Sequence, residues 1–233
     1  MTYKNNDIED LLVEISEKVD LIYIQTNYEK IKKITIKNTL ENMRSVLDYI
    51  AQDVLIELNK ITPTNTGKYF PYGKTIEKFN EALTRNSFSQ LSRIFPRIYD
   101  LFLAQQPFTS NNNWLVDLCS LTNEVKHNNL VSAENHTDVK IVQPGFARFD
   151  NPRNFASYGN IMIDGSGIHI QDDIFVDDSG GISIKKNSGN TVVIRENKII
   201  FNGKNIEIKY FFGNCLDNIN NLYQSLIEIN FNN

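Results

Sequence analysis

Two short polar clusters hold the side chains of this chain best suited to chemistry. The first runs Arg44-Ser45-Val46-Leu47-Asp48-Tyr49 and the second Asn123-Glu124-Val125-Lys126-His127-Asn128-Asn129-Leu130. Arg44 and Asp48 stand four positions apart and share one helix face. A guanidinium there can hold an anion or an RNA phosphate while the carboxylate orients it. The plainer role of the pair is to fix helix register, and an exposed pair contributes under about 1 kcal/mol. Tyr49 reads as support at the bundle edge, its ring packed and its hydroxyl paired. In the second cluster Asn123, Lys126 and His127 gather on one side. A histidine can act as general base, and a Lys or Arg can stabilise a pentavalent phosphate. The plainer role of Lys126 and His127, in a last helical turn, is to offset the negative end of the helix dipole.

Helices must position both clusters. Ile8, Leu11, Leu12, Ile15, Val19 and Ile22 recur at helical spacing, and residues 24–37 either bend or continue that helix. Leu40, Met43, Leu47, Ile50, Val54 and Leu58 trace a seam suited to nearly antiparallel packing in a bundle. Residues 62–73 read as a loop, ended by Pro and Gly. A short helix is expected over about 75–84. The next has Ser87 as its N-cap and breaks or kinks at Pro96. Polar residues 109–113 then cap a helix whose seam is Trp114, Leu118, Leu121 and Val125.

Beyond about residue 135 the apolar period changes to two. Strands are expected at 139–142, 161–163, 168–170, 174–176, 182–184, 191–195, 199–201 and 206–210, with Gly- and Asn-rich turns between them. Asn214 is expected to cap a final helix, packed on the sheet because the sheet is next in sequence. The fold class is therefore α+β. A helical bundle of about five helices occupies 1–135, and a small antiparallel β-meander with a closing C-terminal helix occupies 136–233.

The chain has 233 residues, 41% of them hydrophobic, and a formal net charge of -4. That is enough for one large or two small cores, and it carries no overall basic footprint for nucleic acid or anionic lipid. No apolar run approaches the ~20 residues of a membrane span, and no signal-like start is present, so the expected location is cytoplasmic. Cys119 and Cys215 read as buried free thiols, and neither a metal site nor a cofactor is expected. Asp172, Asp173, Asp177 and Asp178 lack the spacing of a calcium loop and read as solvated hairpin ends. Gly165-Ser166-Gly167 opens no helix, so it is no dinucleotide loop. Residues 143–160 read as a long bridge between modules. Its Arg148 and Arg153, interleaved with Phe149 and Phe155, can bind a partner or stack on bases. Anchoring in the core is the plainer role.

The pair Arg-Ser-x-Leu-Asp-Tyr on one helix and Asn-x-x-Lys-His-x-x-Leu on a later one resembles bacterial helical-bundle proteins related to the HEPN superfamily, over about residues 1–130. The resemblance implies an α-helical bundle that dimerises. In active members it implies RNA cleavage without metal, by an Arg followed by a polar residue, with a His a few positions on. His127 matches the His and Asn123 the polar residue, but Thr122 stands where the Arg should be. Lys126, Arg44 or a second subunit would then have to position the phosphate, and Lys does not replace the bidentate fork of Arg. Members without the motif serve as partner-binding or scaffold domains, and bacterial phage-defence and toxin–antitoxin systems are their usual setting.

The expected function is that of a non-catalytic binding or scaffold protein whose partner is a second copy, another protein or RNA, and not a membrane. The alternative is a metal-independent endoribonuclease, with His127 as base, Asn123 orienting the phosphate and Lys126 or Arg44 stabilising the transition state. A third reading gives both clusters the sole role of locking the bundle.

Overall fold

The computed structural model describes residues 5–27, 31–63, 69–127, 133–144, 147–159, 161–164, 167–186 and 191–229. The protein is α+β, with helices α1 (Asn6–Asn27), α2 (Lys33–Ile61), α3 (Ile76–Arg85), α4 (Leu91–Ile94), α5 (Pro96–Ala104), α6 (Pro107–Ser110), α7 (Trp114–His127) and α8 (Ile208–Ile227). Eight strands lie between α7 and α8: β1 (Ala133–Gln143), β2 (Ala147–Asp150), β3 (Phe155–Ser157), β4 (Ile161–Asp164), β5 (Gly167–Ile170), β6 (Asp173–Val176), β7 (Ile182–Lys185) and β8 (Val192–Phe201). The chain forms two compact units. One comprises Met1–Glu134 with Ile199–Asn233, the other Asn135–Lys198.

The first unit is a helical bundle. The α2 seam of Leu40, Met43, Leu47, Ile50, Val54 and Leu58 is fully buried, and α2 packs on α1, α7 and α8. Trp114, Leu118, Leu121 and Val125 of α7 join the same core. Between the long helices the chain takes short steps. Thr75 caps α3 by accepting the Lys78 N–H. Pro96 and Pro107 each open a helix, where the missing N–H costs nothing. The break expected at Pro96 is therefore the boundary between α4 and α5. Ser87 does not cap α4. It sits in a turn at φ 68°, and Gln90 takes the capping position.

The last helix departs from expectation in start, cap and partner. Residues 206–210 alternate like a strand, yet only a single bridge forms there, between Ile200 and Glu207. Helix α8 begins at Ile208, and its buried Ile208, Phe211, Phe212, Cys215, Ile219 and Leu222 recur at helical spacing. It packs on α1, α2, α5 and α7 in the bundle, and its contact with the expected sheet is made by Phe211 and Phe212 on Phe201 at the end of β8. Each large side chain buried there stabilises by about 1.5–3 kcal/mol, an apolar face too large for a sheet of short strands to cover. Asn214 lies inside the helix, where its Oδ1 accepts from Asn112 at 3.2 Å and from Asn218 at 2.9 Å. Tyr223 receives the Asn5 backbone N–H at 3.2 Å, which ties α8 to the start of α1.

The second unit is built of small antiparallel sheets, ordered β2-β1-β8 and β3-β6-β7, with β4 and β5 as a separate pair. Residues 143–160 are not a plain bridge, because they contain β2 and β3. Strand β2 pairs with β1 in the register Ile141↔Phe149, and β3 with β6 in the register Phe155↔Val176. Val192–Phe201 form one long strand where two were expected. Among the described residues, Ile141, Ile174 and Val176 form the buried apolar centre of this unit, with Phe149 and Phe155 packed against it. Residues 128–130, 165–166 and 188–190, named in the sequence motifs, lie outside the described residues.

Candidate functional site

The first polar cluster is packed into the bundle between α2, α7 and the segment before α3, with Asn123 and Lys126 of the second at the surface of α7. Arg44 is nearly buried on α2. One guanidinium nitrogen lies 3.2 Å from Asp48 Oδ1, Nη1 donates to Cys119 Sγ on α7, and the guanidinium carbon stands 5.3 Å from the centre of the Tyr72 ring. Asp48 Oδ1 also accepts the Phe70 backbone N–H at 2.9 Å. The Asn123 side chain lies near enough to Tyr72 to lower its pKa, so the intervening segment stands between the two motifs.

A buried glutamine places that segment. Gln106, at the end of α5, donates to the Phe102 carbonyl at 2.8 Å and accepts the Gly73 N–H at 3.0 Å. Gly73 is needed because the α3 backbone passes so close that a Cβ there would lie 2.3 Å from the Phe79 nitrogen. Fixing residues 70–73 in this way brings the Phe70 N–H to Asp48 and the Tyr72 ring beneath Arg44.

Burial dominates the electrostatics. It pushes the Cys119 thiol up to about 12, so the sulfur is a neutral acceptor near neutral pH and not a nucleophile. Burial also raises the Asp48 carboxyl, against the opposing pull of Arg44 and the Phe70 N–H. The phenol of Tyr72 is raised for the same first reason. The cluster is a satisfied polar core that joins two helices.

The remaining motif residues are distributed around it. Thr122, at the position the resemblance assigns to Arg, is buried and donates to the Leu118 carbonyl at 2.7 Å. Asn123 and Lys126 are exposed on α7, and Lys126 is near enough to Asp48 to lower its pKa. His127 is the last residue of α7, and its side chain lies outside the described residues. Tyr49 is exposed rather than packed at the bundle edge, because it follows Asp48 directly and so faces about 100° away. Cys119 and Tyr72 were not singled out from sequence as site residues. Cys119 lies one turn before Asn123 and on the same face, a spacing that was visible. Nothing local marks Tyr72.

In the second unit Phe149 and Phe155 stack with ring centroids 4.5 Å apart and pack on the small core, so they are anchors. Arg148 pairs with Asp150 at 3.0 Å. Arg153 stands at the mouth of a cleft of about 510 Å³ that Arg195 and His136 also line. Three of the four aspartates are tied into the unit, and Asp178 is exposed as a hairpin end should be. Asp172 is fully buried and accepts the Thr191 N–H, Asp173 accepts the Gly159 N–H at 2.6 Å, and Asp177 caps its turn through Ser179 and Gly181. Among the described residues no group of three or more His, Cys, Asp or Glu is placed to hold a metal ion, and no helix is long and apolar enough to cross a membrane. No protein-family model, no curated protein and no solved structure matches this chain.

Proposed function

We propose that this chain is a non-catalytic binding protein, a scaffold of the HEPN-like kind found in bacterial defence and toxin–antitoxin systems. The observation that carries the reading is the sequestration of Arg44. Its guanidinium is held by Asp48, Cys119 and Tyr72 within the bundle, and the other cation a ribonuclease would want is replaced by a buried Thr122. A phosphate in transition needs fixed donors aimed at its oxygens. Of the described cations in the two clusters only Lys126 is exposed, and it lacks the fork of arginine; the exposed Arg85 near Tyr72 lies on α3, outside both clusters. A protein partner or a second copy is the proposed occupant of the bundle surface. Val13 and Ile24, 61% and 54% exposed on α1, project from nearly the same helix face.

The test is incubation of the protein with mixed cellular RNA in EDTA, with His127→Ala alongside. Neither protein is expected to cleave. Cleavage by wild type that His127→Ala abolishes would replace the reading with a divergent metal-independent ribonuclease.

A further inference from the structure

The geometry points to the cleft of the second unit as a binding site for a small organic phosphate, held by Arg153 and Arg195. This deepens the reading of the chain as a binding protein and rests on it. The cleft, about 510 Å³, is the size of sites that enclose small ligands. None of the described residues lining it is acidic. Arg195 has neither an acidic nor a hydrogen-bonding partner among the described residues. Arg153 donates only to the Asp178 carbonyl, at 3.2 Å, which leaves most of its N–H groups unused. In a chain of net charge -4, two guanidinium groups without carboxylates facing one cleft form a local reversal of sign. Planar forks of this kind match the oxygens of a phosphate.

The bend that carries Arg153 is set beforehand. Asn151 and Asn154 flank the Pro152-Arg153 pair with φ of 46° and 47°, a left-handed backbone that asparagine tolerates better than most residues. The bend is clamped to β1. Asn151 Oδ1 accepts the Val139 N–H at 2.7 Å, and its amide donates to Asp138 Oδ1 at 2.8 Å. The receiving carbonyl of Asp178 belongs to a turn fixed by Asp177. A preset bend of this kind lowers the ordering cost of binding at Arg153. Of the carboxylates beside the cleft, Asp138 is paired with Lys198 at 2.6 Å, and Asp177 is engaged by the Ser179 hydroxyl and the Gly181 N–H.

The ligand class follows from the rest of the lining. Asn135, Thr137 and Ser179 supply neutral polar groups suited to hydroxyls, and Val139 and Pro152 the only apolar surface. No Phe, Tyr or Trp is among the described lining residues, so the cleft has no platform for stacking the bases of a single strand. A phosphorylated sugar fits this inventory.

Calorimetric titration of the full chain with inorganic phosphate, ribose 5-phosphate and a short single-stranded RNA tests the assignment. Ribose 5-phosphate should bind more tightly than inorganic phosphate. Arg195→Gln and Arg153→Gln should each weaken it about tenfold, the cost of one charge-assisted contact. Arg148→Gln, outside the cleft, should leave it unchanged. Both arginines are exposed, so neither change should disturb the fold, which an unaltered melting curve verifies. Failure of ribose 5-phosphate to bind, affinity equal to that of inorganic phosphate, or binding indifferent to both substitutions overturns the proposal. RNA binding through the same arginines without sugar-phosphate binding also overturns it, in favour of a nucleic-acid surface. RNA cleavage in EDTA would instead sink the non-catalytic reading, a separate result.

Discussion

Arg44 on α2 donates a hydrogen bond to the sulfur of Cys119 on α7, a contact between residues 75 positions apart. The same guanidinium neutralises Asp48, so one side chain satisfies an acceptor on another helix and a carboxylate on its own. Buried charges cost most when they lose a partner, more than their pairing contributes.

Arg44→Ala should therefore destabilise the bundle by about 2–4 kcal/mol, read from the denaturant midpoint. Asp48 would be left buried and unpaired. Its carboxyl is already raised by burial and would rise further. A carboxyl with a raised folded pKa favours the fold below its unfolded pKa, and that stability is lost as pH rises through the folded value. The penalty of Arg44→Ala should accordingly be smaller near pH 4 than near pH 8. An equal penalty at both would show Asp48 to be solvated.

Both thiols should be inert in the native state. Cys119 is pushed up to about 12 by burial, and Cys215 is also raised by burial. Alkylation by iodoacetamide near pH 8 should be slow for the folded chain and fast in denaturant, because the thiolate is the reacting form. Native labelling as fast as denatured labelling would contradict the buried placement.

Two glycines should separate steric crowding from backbone strain. Gly73→Ala drives a Cβ to 2.3 Å from the Phe79 backbone nitrogen, and yielding costs either the Gly73 hydrogen bond to Gln106 or the Phe79 hydrogen bond to Thr75. A loss above about 2 kcal/mol is expected. Gly180→Ala meets nothing within 4 Å but must hold φ at +87°, so about 1 kcal/mol is expected. Thermal melts of the two variants would reveal a reversed order.

Asp138 should contribute to acid unfolding of the second unit. Its hydrogen bond with Lys198, helped by one with Asn151, lowers its pKa to about 2. A lowered carboxyl stabilises above its unfolded pKa, and the contribution disappears as pH falls from about 3.8 towards 2. The side chain is partly exposed, so screening limits the effect to about 1 kcal/mol. Asp138→Asn should flatten acid melting in that window. An unchanged profile would mean that the pair with Lys198 does not persist in solution.

The helical seams were legible because their burial follows a simple period. Leu40 to Leu58 and Trp114 to Val125 face inward as their spacing requires. The pairing of Arg44 with Asp48 on one helix face was legible as well, although the chemistry of their surroundings was not. That depends on Cys119 and Tyr72, and Tyr72 arrives through a fold-back fixed by Gln106 and Gly73, contacts no local pattern encodes. Strands β2 and β3 were hidden among Pro, Gly and Asn, because their pairing with β1 and β6 is made across the sheet. The α8 start was misread because Ile206 and Ile208 alternate for too few residues to separate strand from helix.

Helix α8 lies in the bundle core, yet it leaves the ribosome only after the whole inserted unit. Until then Ile219, Leu222 and Leu226 are missing from the surface that α1, α2 and α7 reserve for them. The bundle therefore cannot complete itself during synthesis in the order in which its helices appear. Its early helices wait with an open apolar face, a state that invites aggregation or a chaperone, while residues 135–198 can assemble in the interval.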